Sequence, residues 1–175
     1  MIWQASTCEK LAVVEVEESI SQVATDRLGK FVSVVSGKEG AAELAIWNLV
    51  DLIKQYQSTQ TTLQTKPLKR LLLGNTTVHS IIQEKDLDPV ELNITIGCNS
   101  GIKVFTFHTE TKQIEEHQVQ LPKELAANVY SLLYDGEKTL ASCESGMVLI
   151  LDSRDRTLKA KFKAHNSAIP CLGFI

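Results

Sequence analysis

Few side chains in this sequence have the type and spacing that chemistry requires. The histidines are His79, His108, His117 and His165. An imidazole can act as base, acid or metal ligand near neutral pH. His79, His108 and His117 show no ligand-like spacing to one another or to a cysteine, so no metal cluster is predicted. Cys8, Cys98, Cys143 and Cys171 lie far apart, without a Cys-x-x-Cys pair. They read as reduced, buried thiols of a cytosolic protein and not as a zinc site. Ser145, between Glu144 and Gly146, reads as a hairpin turn, because a Gly-x-Ser-x-Gly elbow is absent. There is no Walker-type phosphate loop. No catalytic, cofactor-binding or metal-binding residue is therefore predicted, and no cofactor.

Charged side chains offer weaker candidates. Asp152 could serve as a catalytic acid, but turn hydrogen bonding at a strand end is the preferred reading. Glu15, Glu17 and Glu18 form a small acidic run, read as a solvated connector that could meet a basic partner. Lys159, Lys161 and Lys163 alternate along one predicted strand, with Ala160 and Phe162 on its opposite face. They could form a basic stripe for an acidic partner. Lysines guarding an outer edge strand against stray pairing are the preferred account.

The elements that must position these residues repeat. Ile2–Thr7, Ala45–Leu49, Lys103–Phe107 and Leu149–Ser153 each place a β-branched residue before a large apolar one and then a polar one. With Trp3, Trp47, Phe105 and Leu151 as equivalents, the spacings are 44, 58 and 46. Strand openings at Ile20–Ala24, Val78–Ile82, Val129–Leu133 and Ile169–Gly173 form a second landmark. The two landmarks keep one phase, 27, 27 and 22 residues apart in the three intervals. Propeller blades repeat at roughly 40 to 45 residues. The 58-residue step holds the polar stretch Gln55–Gln64, read as a long inserted loop, or as a short helix through Leu49, Leu52, Ile53 and Tyr56. Phe31–Gly37, Leu92–Gly97 and Thr139–Cys143 read as strands, with turns at Leu28-Gly29-Lys30, Asn99-Ser100-Gly101, Asp135-Gly136-Glu137 and Glu144-Ser145-Gly146. The predicted fold is all-β, a β-propeller of four-stranded antiparallel blades, with about three full blades and two partial ones. In that phase Trp3, Trp47 and Phe105 belong to the inter-blade core and not to an aromatic recognition surface.

The same residues resemble the WD-repeat family. Val148–Asp152 looks like the family's blade ending, with Leu151 where the family has tryptophan. Ala164-His165 resembles its Gly-His pair, and Asp26–Val32 its first hairpin. Ile46-Trp47-Asn48 and Ile2-Trp3-Gln4 keep the tryptophan and lose the aspartate. The resemblance implies that His165 bonds within its blade and is not a catalytic base. It also implies a single incomplete propeller: a partial blade over 1–19, blades over 20–77, 78–128 and 129–168, and the first strand of another over 169–175. The polar insert falls near 53–66. The chain is expected to be a fragment or isoform of a longer propeller, or to be closed by a second copy or a partner.

The totals exclude other classes. The formal net charge is -3, too little positive charge to favour nucleic acid. The longest apolar run, Met147 to Leu151, is far shorter than the roughly 18 to 20 residues of a membrane span. The N-terminus carries no secretory signal pattern, and a cytoplasmic location is expected. Of two glycosylation sequons, at Asn75 and Asn93, the second falls in a predicted strand. The expected function is a non-catalytic interaction scaffold that binds other proteins. Ile53 to Lys66 is its candidate recognition or regulatory loop, with Ser58, Thr59, Thr61 and Thr62 as phosphorylation candidates. The alternatives are a structural propeller subunit of a coat or ciliary type of assembly, or an enzyme on a propeller scaffold.

Overall fold

A computed structural model describes residues 1–4, 6–37, 40–84, 90–119, 121–122, 125 and 128–173. Its strands are short, and most run antiparallel to their sequence neighbours. β1 (Ile2–Gln4) and β2 (Glu9–Ala12) pair as a two-stranded sheet. Three four-stranded sheets follow. The first holds β3 (Ile20–Thr25), β4 (Phe31–Ser36), β5 (Ala42–Asn48) and β6 (Lys69–Gly74). The second holds β7 (Val78–Gln83), β8 (Glu91–Cys98), β9 (Gly101–His108) and β10 (Ile114–Gln118). The third holds β11 (Val129–Tyr134), β12 (Lys138–Cys143), β13 (Met147–Asp152) and β14 (Leu158–Lys163). The helix α1 (Leu49–Thr59) interrupts the first sheet between β5 and β6. This is an all-β fold of propeller blades, three of them complete.

Period two explains why these strands carry so few polar residues. In β5, Leu44 and Ile46 pack with the second sheet, while Ala45 and Trp47 join a core on the opposite side. In β9, Phe105 and Phe107 face the first sheet, while Ile102 and Val104 face the third. Successive side chains point to opposite faces, so a sheet covered on both faces needs apolar residues at both parities. Hence Phe-Val-Ser-Val-Val-Ser in β4 reads as a nearly continuous apolar run.

The pairing registers test the repeat directly. Val32 pairs with Trp47, Ile94 with Phe105 and Thr139 with Leu151, so the three large apolar residues hold equivalent places. All three are buried. Trp3 breaks the pattern: it lies on β1 and is 54% exposed. The expectation that it belongs to the inter-blade core is corrected, because no sheet covers that side of β1 among the described residues. Ile169–Gly173 also differs from its predicted strand. It is bonded to β12 through Ser142 Oγ–Ile169 O (2.7 Å) and to β11 through Leu172 N–Ser131 Oγ (3.1 Å), without a ladder partner among the described residues. The last two positions of the predicted strand, 174–175, lie outside the described residues.

The second and third sheets come close at Gly97 on β8. A Cβ there would stand 2.8 Å from Val129 Cγ1 and 3.1 Å from the Val129 carbonyl oxygen. Gly97→Ala is expected to destabilise the protein by about 1–3 kcal/mol through overpacking. Phe105→Ala is expected to cost about 3–5 kcal/mol and Trp3→Ala far less, as measured by urea unfolding.

Candidate functional site

Polar side chains gather at two places between elements. The first joins the second and third sheets. Glu84 follows β7 directly and is 6% exposed. Its Oε1 accepts from Thr95 Oγ1 of its own sheet at 2.8 Å and from Thr139 Oγ1 of the next at 2.7 Å. Thr139 gives its one hydroxyl proton to the carboxylate, so Ser153 Oγ, 3.0 Å away, donates to Thr139. A void of about 10 Å³ beside Glu84 is lined also by Asp152 and Arg156. Arg156 reaches back from the third sheet to Thr106 Oγ1 at 3.0 Å. Thr106 donates to Asn93 Oδ1 (2.8 Å), so His117 Nε2, at 3.0 Å, donates to Thr106. Two charge-bearing side chains thus tie these sheets in opposite directions.

Burial pushes the Glu84 carboxyl above its ordinary value of 4.5, against the opposing pull of Thr139, Thr95 and Arg156. Burial is also the main cause that lowers His117, with Arg156 adding to it. Neither Glu84 nor Arg156 was singled out from the sequence. The only local signal was a charged residue at the end of an apolar strand, which is common on any surface.

The second gathering lies around the insert. Asn48 caps α1, its Oδ1 accepting from Asp51 N at 3.1 Å. The helix ends where Gln60 turns left-handed (φ 52°) and its N–H bonds Tyr56 O at 2.6 Å. The sequence alternative of a short helix is therefore the one that forms. Leu49, Leu52 and, beyond the helix, Leu63 are buried against Val32, Val34, Ala45 and Trp47. Residues 61–66 form a strap, bridged in parallel to the connector that leaves β2 by Leu63 N–Val13 O (2.8 Å) and Glu15 N–Leu63 O (3.0 Å). Much of the predicted loop is thus packed, because its few apolar residues fall at helical spacing and find a sheet face to cover. A groove of about 360 Å³ between strap and connector is lined by Glu15, Glu17, Lys66 and Arg70, charges of both signs, with Trp47 beside them. Beside it, an apolar groove of about 90 Å³ includes Met1, Ile20, Val23 and Val34.

The remaining candidates are scattered. Asp152 Oδ1 accepts from Arg154 N at 2.9 Å, a turn at the end of β13. His165 is exposed, and its Nδ1 sits 2.9 Å from Ser167 Oγ. Its partner stands in the connector after β14, within the segment 129–168 expected to form its blade. The His79 ring lies tilted against Tyr130, centroids 4.9 Å apart, and His108 lies 3.5 Å from Glu91. Ser145 stands in the turn closed by Gly146 N–Cys143 O. Glu15, Glu17 and Glu18 are exposed, Glu15 accepting from Gln64 Nε2 at 3.0 Å. Lys159, Lys161 and Lys163 lie on β14, the outermost strand of its sheet; Lys159 pairs with Asp155 at 2.7 Å. Cys98 and Cys143 are buried but Cys8 and Cys171 are exposed, so only half of the cysteines match the buried-thiol expectation. Asn93 of the second sequon lies in β8, with its amide oxygen bonded to Thr106.

Two outcomes follow from these environments. A raised carboxyl pKa means that Glu84 favours folding most below 4.5, an advantage lost as pH rises through its folded value. Glu84→Gln is therefore expected to raise stability at neutral pH and flatten its pH dependence, as read from urea midpoints between pH 4.5 and 8. In native protein a thiol reagent should modify Cys8 and Cys171 rapidly. Cys143, whose thiol burial pushes up, and Cys98 should react only after unfolding.

Comparisons agree with the fold and add no family. No protein-family model matches the sequence, and no curated protein does. Among solved structures, the β-propeller domain of Myceliophteria thermophila Cps50 (Swd1) is similar at a TM-score of 0.67 and 14% identity, over 98% of this chain and 51% of that one. The computationally designed Ika4 protein is similar at 0.58 and 15%, over 95% and 87%. The designed Ika8 protein is similar at 0.60 and 15%, over 99% and 46%. This chain spans about half the length of the Swd1 domain and of Ika8. At these identities the likeness extends to the β-propeller fold alone.

Proposed function

We propose that the chain works as a non-catalytic protein-interaction scaffold of WD-repeat type, in the cytoplasm, with other proteins as its partners. The observation that carries this reading is the stack of sheets with both faces packed. It makes a rigid body whose hairpin tips, such as Arg27–Leu28 and Asp135–Glu137, stay exposed. Rigid frames with exposed loops suit recognition. Nucleic acid and membrane insertion are outside the proposal. Among the described residues, no helix is long and apolar enough to cross a membrane.

The blade boundaries 1–19, 20–77, 78–128, 129–168 and 169–175 belong to the same proposal. Leu172 N bonds Ser131 Oγ as Leu132 N bonds Ser80 Oγ (3.2 Å) one sheet earlier, which supports Ile169–Gly173 as the inner strand of a further blade. Ile20 and Val23 are 51% and 53% exposed, whereas Val78 and Ile81, their equivalents in the second sheet, are 8% and 7% exposed. That contrast supports further blades, or a partner, over the outer face of the first sheet.

Within the insert, the surface left for recognition is the polar side of α1 and the turn after it. The test is a pull-down from cell extract with the chain and with a Gln57→Glu/Thr61→Glu variant, both positions being exposed. Stoichiometric proteins should bind the parent and fall at least tenfold with the variant. Unchanged partners would move recognition to the sheet faces and hairpin tips. No partner at all would sink the scaffold reading.

A further inference from the structure

At the two junctions between complete sheets, the large apolar residue of the third strand is covered by a neighbouring sheet. Phe105 packs with Val35, Leu44 and Ile46 of the first sheet, and Leu151 with Ile102 and Val104 of the second. Trp47 holds the same register place, yet the buried residues it clusters with outside its own sheet are Leu49, Leu52 and Leu63, with Ile2 of β1 and Val14 and Val16 of the connector half-buried beside them. Helix and strap stand where a sheet stands elsewhere.

We propose that Leu49–Lys66 is a cap that takes the place of a neighbouring sheet over Trp47 and opens as a unit of its own. Its attachments are few. Among the described residues, the apolar side of one helix, a parallel bridge at Val14 and Leu63, the Gln64–Glu15 bond (3.0 Å) and the Lys10 ammonium over the Tyr56 ring (5.9 Å) hold it. Trp47 Nε1 adds a long bond to Thr65 O at 3.4 Å. The sheet beneath is held by full antiparallel ladders along β3–β4, β4–β5 and β5–β6. Segments with few apolar contacts and exposed backbone bonds open at lower free energy than the core they cover. Turns bound the helix of the cap at both ends, the Asn48 cap and the left-handed Gln60. Opening would join Val32, Val34 and Trp47 to the already exposed Ile20 and Val23 in one apolar face. This holds whether or not the chain is a scaffold.

Hydrogen exchange on the full chain tests it. Amides of α1, Gln60 and Leu63 should exchange at least tenfold faster than those of β4 and β5, through an opening with weak denaturant dependence. Equal rates with the same denaturant dependence would overturn the proposal. A second readout uses Trp3→Phe protein, in which Trp47 is the only tryptophan. Leu52→Asp should shift its emission to the red and raise acrylamide quenching severalfold, with the far-ultraviolet sheet signal kept. A Trp47 that stays shielded, or loss of the sheet signal together with the cap, would sink the idea.

Discussion

The structure depends on burying apolar residues on both faces of each sheet. A four-stranded sheet with Leu44 and Ile46 on one side and Ala45 and Trp47 on the other cannot stand alone in water. Each buried aliphatic side chain is worth about 1.5–3 kcal/mol relative to exposure, so each face recruits a cover. The first and second sheets cover one another, as do the second and third. On the other face of the first sheet, Val32, Val34, Ala45 and Trp47 are covered by α1 and the strap, with Ile2, Val14 and Val16 beside them.

Polar atoms inside such interfaces must be paired, because an unmade bond costs the full desolvation of its group. The second and third sheets meet this with a ladder of hydroxyls. Thr95, Thr139 and Ser153 surround Glu84, while Thr106 gathers Asn93, His117 and Arg156. β8 shows how one strand serves both demands. Leu92, Ile94, Ile96 and Cys98 supply its apolar face. Asn93, Thr95 and Gly97 make the other face small or bonded, where the third sheet comes close. A buried carboxylate bonded across a sheet junction also fixes how the two sheets sit, since sliding would strand its charge.

The repeat was legible because it rests on short-range pattern. Trp47, Phe105 and Leu151 were aligned by residue type, and the ladders place them in one register. The β4 strand, Phe31–Ser36, was readable from its β-branched run and the glycine after it. The outer strands were harder. β6 and β10 each lie at an edge with partner strands on one side only, and their mixed sequences carry little apolar period. In the insert, the helical spacing of Leu49, Leu52, Ile53 and Tyr56 was visible beside a polar loop-like composition, and composition misled.

By itself the sequence determined the strand periods, the turn positions and the phase of the large apolar residues, because backbone sterics and side-chain alternation act within a few neighbours. It thereby determined an all-β propeller fold. Tertiary structure alone decided that Trp3 is exposed while Trp47 is covered, since burial depends on what stands opposite and not on residue type. It alone brought Glu84 to Thr139, 55 positions along the chain, and Arg156 to Thr106, 50 positions back. No local pattern encodes such meetings, because they arise only when one sheet is laid against the next.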